Sequence, residues 1–276
     1  MRSLAIGSVP FISIEEGISK HIEAFSVASL PHFPKVHGSE FMFPLALGAH
    51  ISIDSEYTQV RIDEDFYISA LKNNEIHFGN DLALESFHRT TSSLSHHKLQ
   101  VVGPYTFNQF LPSFPKLKSY ANQILRNKIL YLSRLFRDSN ELILFFDEPS
   151  LFLMQSHEWS PWRNNLQEIT DGIPQNVSFG IHCCSKANWD RINADCIKYL
   201  SVDFELYSDS LELYRQLEHE QFEVIVGLNA LNKDFDHKVD SFRKLNEDVL
   251  ISPSCGFANY NPNEVDTILE LFKKFK

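Results

Sequence analysis

The sequence predicts an α/β fold, a single (β/α)8 barrel of the TIM type with a hairpin inserted near its N-terminal third. The chain has 276 residues, close to the ~250 residues of a typical barrel of this kind. Apolar residues make up 43% of it, which is enough for a large core. Short apolar runs alternate with stretches of helical spacing, which is typical of βαβ units and a parallel sheet. We therefore expect residues 1–276 to form one domain.

Seven short apolar runs predict strands. They cover residues 4–9, 99–102, 142–146, 177–181, 197–204, 222–226 and 249–251. A closed barrel needs eight strands, so we expect the eighth within the irregular region 30–98. Residues 50–63 of that region alternate between apolar and polar side chains, which predicts the inserted hairpin. An open, doubly wound sheet is the alternative architecture.

Stretches with helical spacing lie between these strands. The clearest cover residues 117–136, 209–217 and 263–272. Pro262 stands at the head of the last one, a position where a helix tolerates proline. Helices that alternate with strands favour the barrel, because each helix returns the chain to the start of the next parallel strand.

Composition and charge exclude several classes of protein. The formal net charge is −11 and no basic stripe is visible, so nucleic acid is not the expected partner. No stretch approaches the ~20 apolar residues of a membrane helix. The apolar start is short and closes at Pro10, unlike a secretory signal. Four cysteines in a chain of this length do not suggest a disulfide framework. We therefore expect a cytoplasmic protein.

Polar and metal-binding residues follow most of the predicted strands. In a barrel the C-terminal ends of the strands meet at one face, and that face carries the active site. The pattern therefore predicts an enzyme. These residues are Gly7-Ser8, Gly103-Pro104, Asp147-Glu148-Pro149, His182-Cys183-Cys184, Asp203, Glu205 and Ser254-Cys255-Gly256.

His182 and Cys184 are spaced as a pair of zinc ligands. Residues i and i+2 of a strand point the same way, so both would face one side and Cys183 the other. Cys255, at another strand end, offers a third ligand. Three protein ligands leave one position of a zinc ion open, as in catalytic sites. Two thiolates make the metal electron-rich, which suits binding a nucleophilic substrate thiol better than activating water. The alternative is that these cysteines are ordinary buried residues.

Five motifs occur in order between about residue 4 and residue 270. Together they resemble the C-terminal catalytic barrel of cobalamin-independent methionine synthase. Its superfamily also holds uroporphyrinogen decarboxylase and corrinoid-dependent thiol methyltransferases. The motifs are Gly7-Ser8-Val9-Pro10, Gln100-Val101-Val102-Gly103-Pro104, Phe146-Asp147-Glu148-Pro149, Gly180-Ile181-His182-Cys183-Cys184 and Ser252-Pro253-Ser254-Cys255-Gly256.

The resemblance implies a zinc-dependent methyltransferase that acts on a homocysteine-like thiol in methionine biosynthesis. His182, Cys184 and Cys255 match the zinc ligands of the family. The family also has an acidic residue, after the strand that follows the zinc pair, that ligates zinc when the thiol is absent. Glu205 is the first choice for this residue and Asp203 the second.

The resemblance also implies two residues that hold an amino-acid substrate. Asp147 would bind its amino group, and Ser8 would contact its carboxylate through the Gly7-Ser8 turn. The alternative is that Asp147 simply caps the segment after its strand and that Ser8 is only a turn residue.

Two departures from the family bear on the methyl donor. We expect the chain to lack the second, N-terminal half that helps the full enzyme to bind folate. Residues 227–232 also carry asparagine where the full enzyme has a histidine. Both departures favour a methyl-corrinoid protein over methyltetrahydrofolate as the donor. A metal-free decarboxylase of the uroporphyrinogen type is an alternative, but residues 7–17 contain no Arg to hold its carboxylates. A non-catalytic zinc-binding or substrate-binding barrel is the other alternative.

Overall fold

The computed structural model describes residues 2–48, 51–53, 60–76, 78 and 81–276. Within them, eight strands form one parallel sheet, in the order β1-β10-β9-β8-β7-β6-β5-β2. A separate antiparallel pair consists of β3 and β4. The strands are β1 (Arg2–Ser3), β2 (Ala28–Ser29), β3 (Ile51–Ile53), β4 (Val60–Ile62), β5 (His96–Val102), β6 (Glu141–Asp147), β7 (Val177–Cys183), β8 (Ile197–Asp203), β9 (Glu223–Leu228) and β10 (Leu250–Pro253).

The two ends of the parallel sheet approach each other. Beyond β1 and β2 the chain continues extended, and Ser8 forms a parallel bridge with His32. The Val9 N–H donates to the His32 carbonyl at 2.8 Å, and the His32 N–H donates to the Gly7 carbonyl at 3.3 Å. The sheet is therefore curled, and the fold is consistent with a TIM-like barrel rather than with the doubly wound alternative.

The structure corrects the expected position of the eighth strand. We expected it within region 30–98, whereas β2 begins earlier, at Ala28. This strand contains two small residues and pairs with β5 at only two positions, so it has no apolar run by which a sequence could reveal it. The first strand also differs. Its ladder with β10 covers Arg2 and Ser3, and the predicted run 4–9 is an extended continuation. The other six predicted strands are confirmed to within a few residues.

Helices connect most of the strands. The predicted helix 117–136 consists of a 3₁₀ turn, Leu117–Tyr120, followed by α6. The last helix, α10, begins at Pro262 as predicted, and Asn261 and Glu264 cap it reciprocally. The α-helices are α1 (Ile14–Ala24), α2 (Met42–Leu47), α3 (Glu64–Lys72), α4 (Leu82–Thr91), α5 (Pro104–Phe110), α6 (Ala121–Leu135), α7 (Trp159–Thr170), α8 (Ser210–His219), α9 (Phe235–Arg243) and α10 (Pro262–Phe272).

Two hydrophobic clusters lie on opposite faces of the curled sheet. In β6, Ile143 and Phe145 belong to the smaller cluster, whereas Leu144 and Phe146 belong to the larger one. This alternation follows from the period of two along a strand. The larger cluster includes apolar residues of the surrounding helices. The smaller one therefore fills the inner face of the sheet. Its members are Leu4, Ile6, Val27, Ile143, Phe145, Tyr199, Ile225 and Leu250.

The region predicted as an inserted hairpin is described in part. Ile51 pairs with Ile62, and Ile53 pairs with Val60, in antiparallel register. The connection between the two strands, residues 54–59, lies outside the described residues, so the hairpin as a whole stays a prediction. Among the described helices, none combines the length and the apolar composition needed to cross a bilayer.

Candidate metal and substrate site

The strand register brings polar side chains together at the C-terminal edge of the sheet. Asp147, the last residue of β6, is in register with His182 of β7. His182 is in turn in register with Ser201 of β8. Since Asp147 follows Phe145 by two residues, these side chains share the inner face of the sheet. They lie above the inner apolar cluster.

His182, Cys184 and Cys255 form a compact group at this edge. Their ligand atoms all lie within 4.8 Å of one another. His182 is buried, Cys184 is half-buried and Cys255 is exposed. His182 and Cys184 point the same way because they are two residues apart, and Cys255 lies in the turn after β10. One imidazole and two thiols are a ligand set that zinc prefers, so the geometry fits a three-ligand zinc site.

The two thiols of this group interact directly. The Cys255 thiol donates a hydrogen bond to the Cys184 sulfur, and this bond, together with His182, lowers the pKa of Cys184. The same bond and burial raise the pKa of Cys255. One of the two sulfurs is therefore disposed to carry negative charge beside an imidazole. Such an arrangement attracts a cation.

Ser201 lies behind the imidazole. Its hydroxyl is 3.0 Å from Nδ1 of His182, which would leave Nε2 for a metal. A hydrogen bond of this kind orients a ligand histidine and selects its tautomer. Cys183 takes no part in the group. It is buried on the other face of β7, where its sulfur lies 3.1 Å from the Ser185 hydroxyl.

The two acidic residues considered from the sequence differ in environment. The Glu205 carboxylate accepts hydrogen bonds from three partners. They are the Asn229 N–H at 3.2 Å, the Asn232 side chain at 3.1 Å and Lys238 at 2.6 Å. Asp203 is buried, and it accepts a hydrogen bond from the Glu205 N–H at 3.0 Å.

Burial raises the pKa of Asp203 to about 6, and the charges of Cys184 and His182 also act on it. These two residues belong, with Cys255, to the metal group, the three residues whose ligand atoms lie close together. Neither acid belongs to the group of ligand atoms described above. The role of Glu205 or Asp203 as an acidic zinc ligand therefore stays a prediction.

Asp147 is a buried carboxyl with an unused oxygen. It is 4% exposed, and its Oδ1 has no hydrogen-bond partner among the described residues. Burial raises its pKa, while the charges of His182 and Lys98 lower it. A buried oxygen without a partner is costly. The site therefore has an acceptor ready for a donor that comes with a ligand.

Ser8 lies where the Gly7-Ser8 turn meets the loop of Cys255. Its carbonyl accepts the Phe257 N–H at 2.5 Å. A Cβ on Gly256 would come within 2.6 Å of the Ser8 nitrogen, and Gly7 has a φ of +75°. Both glycines are therefore needed for this close approach. The structure thus brings Ser8 next to Cys255 in space.

Glu148 anchors the strand end that carries Asp147. Its carboxyl is fully buried and accepts N–H donors from Tyr105 at 2.9 Å, Thr106 at 2.8 Å and the Trp162 indole at 2.9 Å. The Gly103 backbone passes so close that any side chain there would overlap the Glu148 carboxyl. This packing joins β6 to the first turn of α5.

Sequence reasoning missed a buried polar group beneath the site, formed by Lys98 and Gln100. Lys98 is fully buried, and its Nζ lies 2.5 Å from Oε1 of Gln100. Both are in register with the inward-facing Ile143 and Phe145, and so share the inner face. One signal was available: Lys98 and Gln100 alternate with Leu99 and Val101 at the predicted strand 99–102, so the two polar side chains share one face.

A groove of about 500 Å³ lies between the loops that follow β6, β7 and β8, and its lining includes none of His182, Cys184 and Cys255. Tyr207 closes one side of it, and its hydroxyl accepts hydrogen bonds from the Trp189 indole at 2.8 Å and the Ala187 N–H at 3.1 Å. The exposed Phe152 lies on the opposite loop. The groove therefore has aromatic walls close to the chain segment that carries Cys184.

No protein-family model matches the sequence, and no curated protein matches it. Solved structures share the fold, including the two that follow. One is described as a B12-independent methionine synthase from a Shewanella species, in complex with selenomethionine. It has 14% identity and a TM-score of 0.57, over 99% of this chain and 96% of that chain. The other is described as a vitamin-B12-independent methionine synthase from Listeria monocytogenes. It has 14% identity and a TM-score of 0.54, over 95% of this chain and 83% of that one. At such identities the likeness concerns the fold.

Proposed function

We propose that the protein is a zinc-dependent methyltransferase that methylates the sulfur of a homocysteine-like thiol. The observation that carries the proposal is the group of His182, Cys184 and Cys255, whose ligand atoms lie within 4.8 Å of one another. The group lies at the C-terminal edge of a parallel sheet, the edge at which barrel enzymes carry their active sites. Both similar solved structures are described as methionine synthases that do not need B12.

His182, Cys184 and Cys255 would hold the zinc ion, with Ser201 orienting the imidazole. When bound, the zinc supplies an open coordination position at which a substrate thiol loses its proton and stays nucleophilic. Two thiolate ligands suit this chemistry, because they leave the metal less electrophilic than the sites that activate water.

Asp147 and Ser8 would select an amino-acid thiol. The unpartnered Oδ1 of Asp147 is a buried acceptor, and an ammonium group would satisfy it. Ser8 adjoins the loop of Cys255, so a ligand that reaches both Ser8 and Asp147 extends across the metal group. One of the similar proteins was solved with selenomethionine, an amino acid of the class that this reaction would form.

Asp203 or Glu205 would act as the acidic residue that exchanges with the substrate. Asp203 is under the direct electrostatic influence of Cys184. Glu205 would first have to leave Lys238. We therefore propose Asp203 as the nearer candidate, although the resemblance to the family ranked Glu205 first.

The donor proposed is a methyl-corrinoid protein, with methyltetrahydrofolate as the alternative. Among the described residues, six exposed large apolar side chains lie on segments that follow strands β1, β2, β5, β6 and β9. Exposed apolar side chains on these segments would suit contact with a protein surface. The six are Ile12, Phe41, Phe110, Phe152, Leu153 and Leu231.

The test begins with the metal content of protein purified without added metal. We expect one zinc per chain in the wild type and in Cys196→Ser, whose thiol lies outside the metal group. We expect none in Cys184→Ser and in Cys255→Ser. The zinc-loaded wild type is then assayed for methylation of homocysteine, with methylcobalamin and with methyltetrahydrofolate as donors.

Zinc that persists in both cysteine variants would refute the site. A wild type that cannot be loaded with zinc would refute it as well. A zinc protein that binds homocysteine but transfers no methyl group from either donor would support the non-catalytic barrel instead.

A further inference from the structure

Lys98 and Gln100 form a buried polar network under the metal group that the proposed function does not use. Oε1 of Gln100 accepts two hydrogen bonds, from Lys98 Nζ at 2.5 Å and from the Gly7 N–H at 3.1 Å. Its Nε2 lies 3.2 Å from Nδ1 of His32. Every polar atom of the Gln100 side chain is thus engaged, so its orientation is tightly restricted.

Both ends of this network reach the Gly7-Ser8 turn. Gln100 holds the Gly7 N–H directly. His32, its other contact, pairs through its backbone with Gly7 and Val9 on either side of Ser8. The Gln100 side chain and the His32 backbone therefore both hold the Gly7-Ser8 turn in place. Few other arrangements of the turn keep all these bonds.

The Gly7-Ser8 turn supports the loop that carries Cys255, the third metal ligand. The Ser8 carbonyl accepts the Phe257 N–H at 2.5 Å. Cys255 precedes Gly256, and a Cβ placed on Gly7 would lie only 2.8 Å from the Gly256 Cα. The two backbones are in van der Waals contact. A shift of the turn would therefore displace the Cys255 sulfur relative to His182 and Cys184.

We propose that Gln100, held by Lys98, is the positioning residue for the Cys255 ligand. It acts through the Gly7-Ser8 turn and does not touch the metal or the substrate. The metal part of this inference rests on the proposed function. The arrangement also accounts for a fully buried lysine in a barrel interior, because the Lys98 ammonium holds Oε1 of Gln100 in place.

The variant Gln100→Leu removes the support, and Gln100→Glu is the conservative rescue because it keeps an oxygen for Gly7 and Lys98. Ser29→Ala is the matched control. Its hydroxyl accepts the Ala5 N–H at 3.1 Å, a buried bond to the same extended segment, two residues before Gly7. Gln100→Leu could fail to fold because the buried Lys98 ammonium loses its hydrogen-bond partner. In that case the double variant Lys98→Met, Gln100→Leu replaces it.

Two measurements decide the question. The first measures zinc affinity by competition with a chelator. It is combined with the intensity of the sulfur-to-cobalt charge-transfer band of the Co²⁺-substituted protein. We expect about 10- to 100-fold weaker zinc binding and a weaker band in Gln100→Leu, as is typical for loss of an outer-shell partner. Gln100→Glu and Ser29→Ala should resemble the wild type. The second is hydrogen exchange of the Phe257 amide in metal-free protein. We expect its protection to fall in Gln100→Leu alone.

Unchanged affinity and an unchanged Co²⁺ band in Gln100→Leu, with Phe257 still protected, would overturn the positioning role. Equal losses in Ser29→Ala would overturn it too, since they would indicate general loosening. If the wild type binds no metal, the proposed function fails. The exchange measurement then decides the positioning role alone.

Discussion

Lys98→Met should stabilise the folded protein at neutral pH and lose this advantage at alkaline pH. Burial lowers the pKa of Lys98 from 10.5 to about 8, because the charged ammonium is disfavoured there. At about 1.4 kcal/mol for each factor of ten in proton binding, the charged lysine costs about 3 kcal/mol. The variant forgoes the hydrogen bond to Gln100, worth about 1 kcal/mol. The net gain at pH 7 is therefore about 2 kcal/mol.

The pH dependence has a definite sign. Below about pH 8 both the folded and the unfolded chain bind the proton, so the wild type carries the full cost. Between about pH 8 and 10.5 the folded chain binds fewer protons than the unfolded chain, so wild-type stability rises relative to the variant. Urea unfolding of both proteins at pH 7 to 10.5 measures this difference.

Lys128→Met is the matched control for this experiment. Lys128 is also buried, but it lies 3.9 Å from the Asp81 carboxylate. Its removal should destabilise the protein, because a buried carboxylate is left without its partner. Wild-type and Lys98→Met curves that stay parallel across the whole pH range would refute the reasoning for Lys98.

Three further predictions concern the site. Gly103→Ala should destabilise the protein by about 3 kcal/mol, because its Cβ would overlap Glu148. Gly172→Ala, where the φ is +65° and the added Cβ would only contact the Arg126 side chain at 3.7 Å, should cost about 1 kcal/mol. Urea unfolding compares the two variants. Asp147→Asn should weaken binding of homocysteine to the zinc protein at least about 10-fold, but not binding of a thiol acid without the amino group, by calorimetry. Equal losses for both ligands would contradict that role. Removal of zinc by a chelator should lower the free energy of unfolding by about 3 kcal/mol at a hundredfold excess of zinc over Kd, and an unchanged thermal midpoint would contradict this.

The sequence alone determined the layered α/β architecture and most strand positions. Continuous apolar runs such as those of β6 and β9 are local signals, since a strand buried on both faces needs apolar side chains in succession. The pairing of His182 with Cys184 was equally local, because it depends only on the two-residue period of a strand. Cys255 could be suggested as a third ligand because it follows another strand, and the resemblance of five ordered motifs supported its place beside them.

The tertiary structure alone decided the features that depend on distant contacts. The strand at Ala28 has no apolar run and is defined by its pairing with β5. Glu205 has Lys238 as a partner, which no spacing in the sequence could indicate. Lys98 and Gln100 occupy the inner face because the sheet curls around them. Local patterns record which face a side chain takes, whereas the partners it meets there depend on residues brought together by the whole fold.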